Sequence, residues 1–299
     1  MVSTETHPFI DHLVISQQFL RDHALERVGE LLENQGWSHL FLENCKLNKE
    51  LARQFFSTLV LSGVDSSTVG TFTINGVDHA FIVRELSKIL NVPSTGFSDY
   101  IKQVWPAYLP RDVMINRVLG PASSSRGHSM SQENMDVYSK ICYMLLRANI
   151  VPRKEGREKV GILDVILINK LLDNEKISLP LLILKHLEHA QSIPHHRIPY
   201  GPIIKKILQD FELYEEGSDI IELGKPLDKR CLQQAHFKFE DGSWKSSCPL
   251  PPVEEERRKE DLASDLGSFS STDKCYVFLS NLIKEFSSNV NKQFLGVAK

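Results

Sequence analysis

Gly127-His-Ser-Met-Ser131 comes closest to a catalytic signature in this chain. It lacks only the second glycine of the G-x-S-x-G nucleophile elbow, with Ser129 in the nucleophile's place. That elbow needs a buried strand before the serine and a helix directly after it, so that the hydroxyl stands exposed on a tight turn. The residues upstream are GPASSSR, a loop composition, and Ser131 in the glycine position would crowd the turn. These residues predict a Ser-rich loop capping the next helix, and a hydrolase built on Ser129 is the weaker reading.

The densest histidine group is His186, His189, His195 and His196, with Glu188 among them. His186 and His189, three apart on a helix, share a face and can hold a metal. There is no H-E-x-x-H spacing, however, and Pro194 separates the second pair. The expectation is therefore ordinary polar side chains, with no metal and no cofactor. The basic stretch Arg147, Arg153, Lys154, Arg157 and Lys159 has the charge to contact phosphates, with an affinity that falls steeply with salt. Glu155 and Glu158 interrupt it, and no aromatic is interleaved to stack on bases. A solvated loop is the expected reading, with weak nucleic-acid binding over 138–206 as the alternative.

Other mobile-element and nucleotide chemistries are missing in specific ways. The chain has no C-x-x-C pair, no Asp-Asp pair of the reverse-transcriptase kind and no D-[ST]-G, since Asp65-Ser66-Ser67 lacks the glycine. A P-loop would need glycine at 219, where Asp219 stands. The five cysteines, Cys45, Cys142, Cys231, Cys248 and Cys275, are odd in number and widely spaced. They suggest neither a disulfide framework nor a zinc knuckle, and point to a reducing intracellular compartment, nucleus or cytoplasm.

Composition agrees with an ordinary folded protein: 299 residues, 41% apolar and 24% charged. The formal net charge of −3 supplies no global attraction for nucleic acid. Charge is uneven all the same, because Tyr138–Lys206 holds twelve Lys/Arg against six Asp/Glu. The N-terminal MVSTETHPFIDHLV lacks the basic-then-apolar order of a secretory leader, and the apolar runs near 165–172 and 177–187 are too interrupted to span a bilayer.

The elements that must position these residues are mainly helical by periodicity. Phe19–Glu33 reads as one helix ended by Gly36, and Asn48 as the N-cap of a second helix over Lys49–Leu61 that Gly63 closes. Thr71–Ile74, Asn75-Gly76 and Val77 onward form a type I′ hairpin with a brief second arm, after which Asp78 caps a helix that stops at Asn91-Val-Pro93. Residues 93–131 look irregular. Helices follow from Ser131, over Ile162–Leu172, after Ser178 with Pro180 in the first turn, and over Ile203–Phe211. Residues 219–252 are mixed and contain PLPP, and a charged and Ser-rich linker follows. A last amphipathic helix near Tyr276–Leu295 places Leu279, Leu282, Ile283, Phe286 and Val290 on one side.

The order of these blocks resembles the plant transposon protein domain family, a helical domain associated with plant retroelements. The residues that carry the resemblance are Gly36-Trp37 with Leu40-Phe41, LARQFFSTL at 51–59, TFTINGVDHAFIVRELSKILNVP at 71–93, YSKICYMLLRANIVPRKEGREKVGILDVILINKLL at 138–172 and HHRIPYGPIIKKIL at 195–208. Ile150-Val151 replaces the family's usual leucine pair before the proline. The resemblance covers roughly 19–215 and brings no catalytic residues with it.

Together these readings predict a mainly α, multi-helix globular domain with one short β-hairpin over 1–215. A mixed segment and linker over 216–272 and a C-terminal amphipathic helix over 273–299 would follow. The functional expectation is a non-enzymatic, transposable-element-derived protein acting in protein interaction or self-association. It would use no small-molecule substrate and no membrane; the apolar stripe of the C-terminal helix would close over the main core or, in the interaction reading, carry the partner surface.

Overall fold

The computed structural model describes residues 8–63, 67–101, 104–120, 130, 132, 134–153, 159–193 and 196–247. In chain order the elements begin with β1 (Leu13–Val14), α1 (Gln17–Asp22), α2 (Glu26–Gln35), β2 (Cys45–Asn48) and α3 (Lys49–Thr58). Next come β3 (Val60–Ser62), β4 (Val69–Ile74), β5 (Val77–Ile82), α4 (Val83–Leu90), α5 (Arg111–Leu119) and α6 (Val137–Leu145). A π-helical turn, Leu146–Ile150, continues α6. The rest are α7 (Ile162–Leu172), α8 (Leu179–Gln191), α9 (Gly201–Asp210), β6 (Ile220–Leu223), β7 (Lys225–Pro226), α10 (Lys229–Gln234), β8 (Phe237–Glu240) and β9 (Ser243–Ser246).

This corrects the expected fold class. The described residues are 47% helix and 18% strand, with nine strands in four small sheets, instead of helices around a single hairpin. The strands missed are short and pair over long distances. β2 lies antiparallel to β6, with Cys45 opposite Leu223 and Asn48 opposite Ile220, and β1 runs parallel to β7. Residues 220–226 therefore complete two sheets that start near the N-terminus. The first compact unit runs through Cys248, and the second, Pro249–Lys299, lies outside the described residues.

Helix α7 sits at the centre because its sequence is apolar on nearly every side. Leu163, Val165, Ile166, Leu167, Ile168 and Leu171 are all buried, and α2, α5 and α6 pack around it. Its bounds match the periodicity. Phe19–Glu33 does not stay one helix, because Ala24 takes a left-handed backbone (φ 53°) that splits it into α1 and α2. Helix α3 stops at Thr58, earlier than expected, since Leu59 turns extended and Val60–Ser62 joins β4. The second arm of the Asn75-Gly76 hairpin is also longer than expected. β5 runs to Ile82, and Glu85 rather than Asp78 caps α4 by accepting the Ile82 N–H.

Asn48 ends β2 and caps α3, so one side chain serves two elements. Its Oδ1 accepts the N–H groups of Glu50 (3.0 Å) and Leu51 (3.2 Å), and its Nδ2 donates to the Glu215 carbonyl (3.0 Å). Asn48→Ala removes all three bonds and should cost about 1–2 kcal/mol of stability. Urea unfolding of the two proteins checks this, and coincident midpoints would show the cap to be dispensable.

Candidate functional site

The polar residues that matter gather inside the body, around the π-turn that ends α6. A π-turn widens the helix by one residue per bond and leaves carbonyls at its end without helical partners. Side chains from two other places take up acceptors at and just past that end. Tyr200 donates its hydroxyl to the Ile150 carbonyl at 2.6 Å, and His186 Nε2 lies 2.9 Å from the Pro152 carbonyl. Asn149, within the turn, faces outward to β1. Its Oδ1 accepts the Leu13 N–H and its Nδ2 donates to the Leu13 carbonyl, both at 2.8 Å, as a neighbouring strand would.

The geometry fixes the state of His186. A carbonyl only accepts, so Nε2 carries the proton and donates to Pro152, and Nδ1 accepts the Tyr100 hydroxyl at 2.7 Å. The ring is 1% exposed, and burial lowers its pKa from 6.5 to about 3, so it stays neutral. Burial likewise raises the Tyr100 phenol to about 12 and pushes Tyr200 well above its ordinary value. Both remain donors.

Arg153 is the cation of this cluster. Its guanidinium pairs with Asp164, whose side chain is fully buried while that of Arg153 is 32% exposed. Asp164 also caps α7, because its second oxygen accepts the Gly161 N–H at 2.7 Å. Burial raises the Asp164 pKa, with Arg153 pulling it down most strongly, then the Gly161 N–H and Arg147. Both oxygens accept hydrogen bonds, which is the pattern of a carboxylate. Arg147 points inward as well. It is buried, donates to the Tyr143 hydroxyl at 2.8 Å and lies 5.5 Å from that ring's centre, while Tyr143 donates to the Lys159 carbonyl at 3.2 Å.

The residues singled out in the sequence thus fall into separate places. Arg147 is interior, Arg153 is held by Asp164, and Lys159 is exposed; Lys154 and Arg157 lie outside the described residues. His189 and His196 stand beside His186 with ring centres 6.4 and 6.5 Å away, and His195 is outside the described residues. Both His186 nitrogens are already engaged, and no group of three metal-ligating side chains forms among the described residues. Ser129 and the expected partner residues Leu279, Leu282, Ile283, Phe286 and Val290 also lie outside them. Tyr100, Tyr143, Asn149, Asp164 and Tyr200 were not foreseen. Only Asp164 left a signal, as a carboxylate three residues past Gly161 at the head of an apolar helix.

The cluster contains the residue types of an acid–base centre. Chemistry needs a proton or a lone pair aimed at a substrate. Here His186 and Asp164 direct theirs at protein groups. A recess beside the π-turn, lined by Trp37, Cys142, Leu146 and Ile150 among others, is apolar and has room for about one water molecule.

Comparison with family models, with curated proteins and with solved structures finds no match to this chain. No helix among the described residues is long and apolar enough to cross a membrane.

Proposed function

We propose that this chain is a non-enzymatic protein-interaction module, in line with its resemblance to the plant transposon protein domain family over 19–215. One observation carries the reading: large apolar side chains stand outside, close together in the chain. Val104 (79% exposed) and Tyr108 (66%) stand on the loop entering α5, and Val113 (67%) in the first turn of that helix. Trp105 is half-buried among them, and its Nε1 donates to the Leu109 carbonyl at 3.0 Å. Tyr108 donates to Asp99 at 2.6 Å, which holds an exposed aromatic ring in place. Pre-set aromatic and aliphatic side chains of this kind serve as anchors in protein interfaces.

The alternative, nucleic-acid binding through the basic 138–206 region, draws less support. Arg147 is buried against Tyr143, and Arg153 already spends part of its charge on Asp164.

The test uses the full chain as bait in nuclear and cytosolic plant extracts, alongside a Val104→Ser/Tyr108→Ser/Val113→Ser variant. All three side chains are solvent-exposed, so the fold should survive. The wild type is expected to retain specific proteins that the variant loses. Identical retained sets would remove this surface from the account.

A further inference from the structure

The three-stranded sheet β3-β4-β5 ends on one side at β5, six residues long and unpaired on its outer flank among the described residues. Its Asn75-Gly76 turn closes on the pair Ile74 and Val77. In a two-residue hairpin that closing pair exchanges backbone hydrogen bonds, and every second pair after it does the same. Val77, His79 and Phe81 therefore bond to β4, while the N–H and C=O groups of Asp78, Ala80 and Ile82 point away from the sheet. Two contacts confirm this phase. Thr73, opposite Asp78, turns its N–H to Thr58 Oγ1 at 2.9 Å on the far side of β4. The outward Ile82 N–H donates to Glu85 Oε2 at 2.9 Å.

Asp78 and Ala80 are thus left with two donors and two acceptors on an open edge. Sheet edges are usually blocked by lysine, proline or a bulge. The edge Val77-Asp-His-Ala-Phe-Ile82 has none of these, and its single charge, Asp78, is held by the Thr73 hydroxyl at 2.6 Å. The outer face beside it is apolar at Val60 (61% exposed), Val69, Ala80 and Ile82 (40%).

We propose that β5 pairs antiparallel with β5 of a second copy of this chain, about a two-fold axis at His79. Of the local two-fold registers, this one satisfies all four free backbone groups, because Asp78 of each copy faces Ala80 of the other. A register centred on Asp78 would set the two carboxylates against each other. A register centred on Ala80 would call on the Ile82 N–H, which Glu85 already occupies. The His79 register also places Val77, 57% exposed, opposite the other copy's Phe81, and Ile82 beside the other copy's Gly76, where no side chain competes for space. This edge is its own complement in backbone hydrogen bonding and in shape, and the register keeps the two Asp78 carboxylates out of direct opposition.

The full-length chain is examined by sedimentation velocity over about a hundredfold range of concentration. A reversible monomer–dimer equilibrium is expected. Ala80→Pro deletes an outward N–H at a position where an edge strand tolerates proline, and Ala80→Lys adds a blocking charge while keeping the backbone. Each should raise the dimer dissociation constant at least about tenfold, with circular dichroism unchanged, while Leu42→Lys, at an exposed position outside both surfaces, leaves it as it was. If the proline variant misfolds, the lysine variant decides. A monomer at every concentration, or a dimer indifferent to Ala80→Lys, overturns the proposal and leaves the Val104–Val113 surface standing on its own test.

Discussion

Arg153→Ala is expected to lower the stability of the protein by about 3 kcal/mol near pH 7. The reason is the asymmetry of the pair. Asp164 is fully buried and Arg153 is one-third exposed, so removing the arginine leaves a buried carboxylate with the Gly161 N–H and the more weakly acting Arg147 charge to balance it. Breaking a buried pair from one side commonly costs about 3–5 kcal/mol, and solvent access at Arg153 places this case at the low end. The opposite change, Asp164→Asn, leaves a guanidinium that can turn to solvent and keeps an oxygen for the Gly161 N–H. It should cost about half as much or less. The loss in Arg153→Ala should also shrink on mild acidification. Without the arginine, the folded-state pKa of Asp164 rises further above its unfolded value, so taking up a proton relieves the buried charge. Urea unfolding of both variants near neutral pH and near pH 5 tests this; equal costs for the two, with no pH dependence, would reduce the pair to a surface contact.

The second large effect is a loss of stability in acid that traces to His186. Its folded-state pKa is depressed, from 6.5 to about 3. A depressed histidine is neutral in the fold, while the unfolded chain binds a proton below about pH 6.5. Its contribution is therefore complete above that pH and is lost as pH falls towards 3. Between those limits the slope approaches one proton, about 1.4 kcal/mol per pH unit. His12 adds in the same direction, since it is buried and its pKa is also lowered by burial. His186→Gln keeps a donor for the Pro152 carbonyl but does not titrate. It should be less stable at neutral pH and should lose about one proton's worth of slope between pH 6 and 4. Parallel stability curves for the two proteins would mean that His186 is not held neutral by burial.

Helices with continuous apolar faces were legible from the sequence. The bounds of α7, the Asn48 cap, the Asn75-Gly76 turn and the stop at Asn91 all follow from local chemistry, and local chemistry is what periodicity reports. What escaped depends on distant partners. Cys45–Asn48 is a strand only because Ile220–Leu223 arrives beside it, about 175 residues later, and no four-residue window contains that information. The β8–β9 hairpin is a different kind of miss, since its Asp241-Gly242 turn is as clear a signal as Asn75-Gly76. The polar hub escaped because its members come from six stretches of chain and meet only where the π-turn leaves carbonyls to be filled. Reading Arg147 and Arg153 as surface charge followed from their neighbours in sequence. Their neighbours in space, Tyr143 and Asp164, give them interior roles.

The central claim is that the Tyr100–His186–Pro152 chain braces the fold and is not a reactive centre. Nitrogen-15 NMR of the histidine rings in the full chain tests it most directly, because the shifts report tautomer and protonation together. The His186 ring, assigned by its loss in His186→Gln, is expected in the Nε2–H form and neutral from pH 8 down to the onset of acid unfolding. A His186 signal that titrates near its ordinary value of 6.5, or that carries its proton on Nδ1, would contradict it.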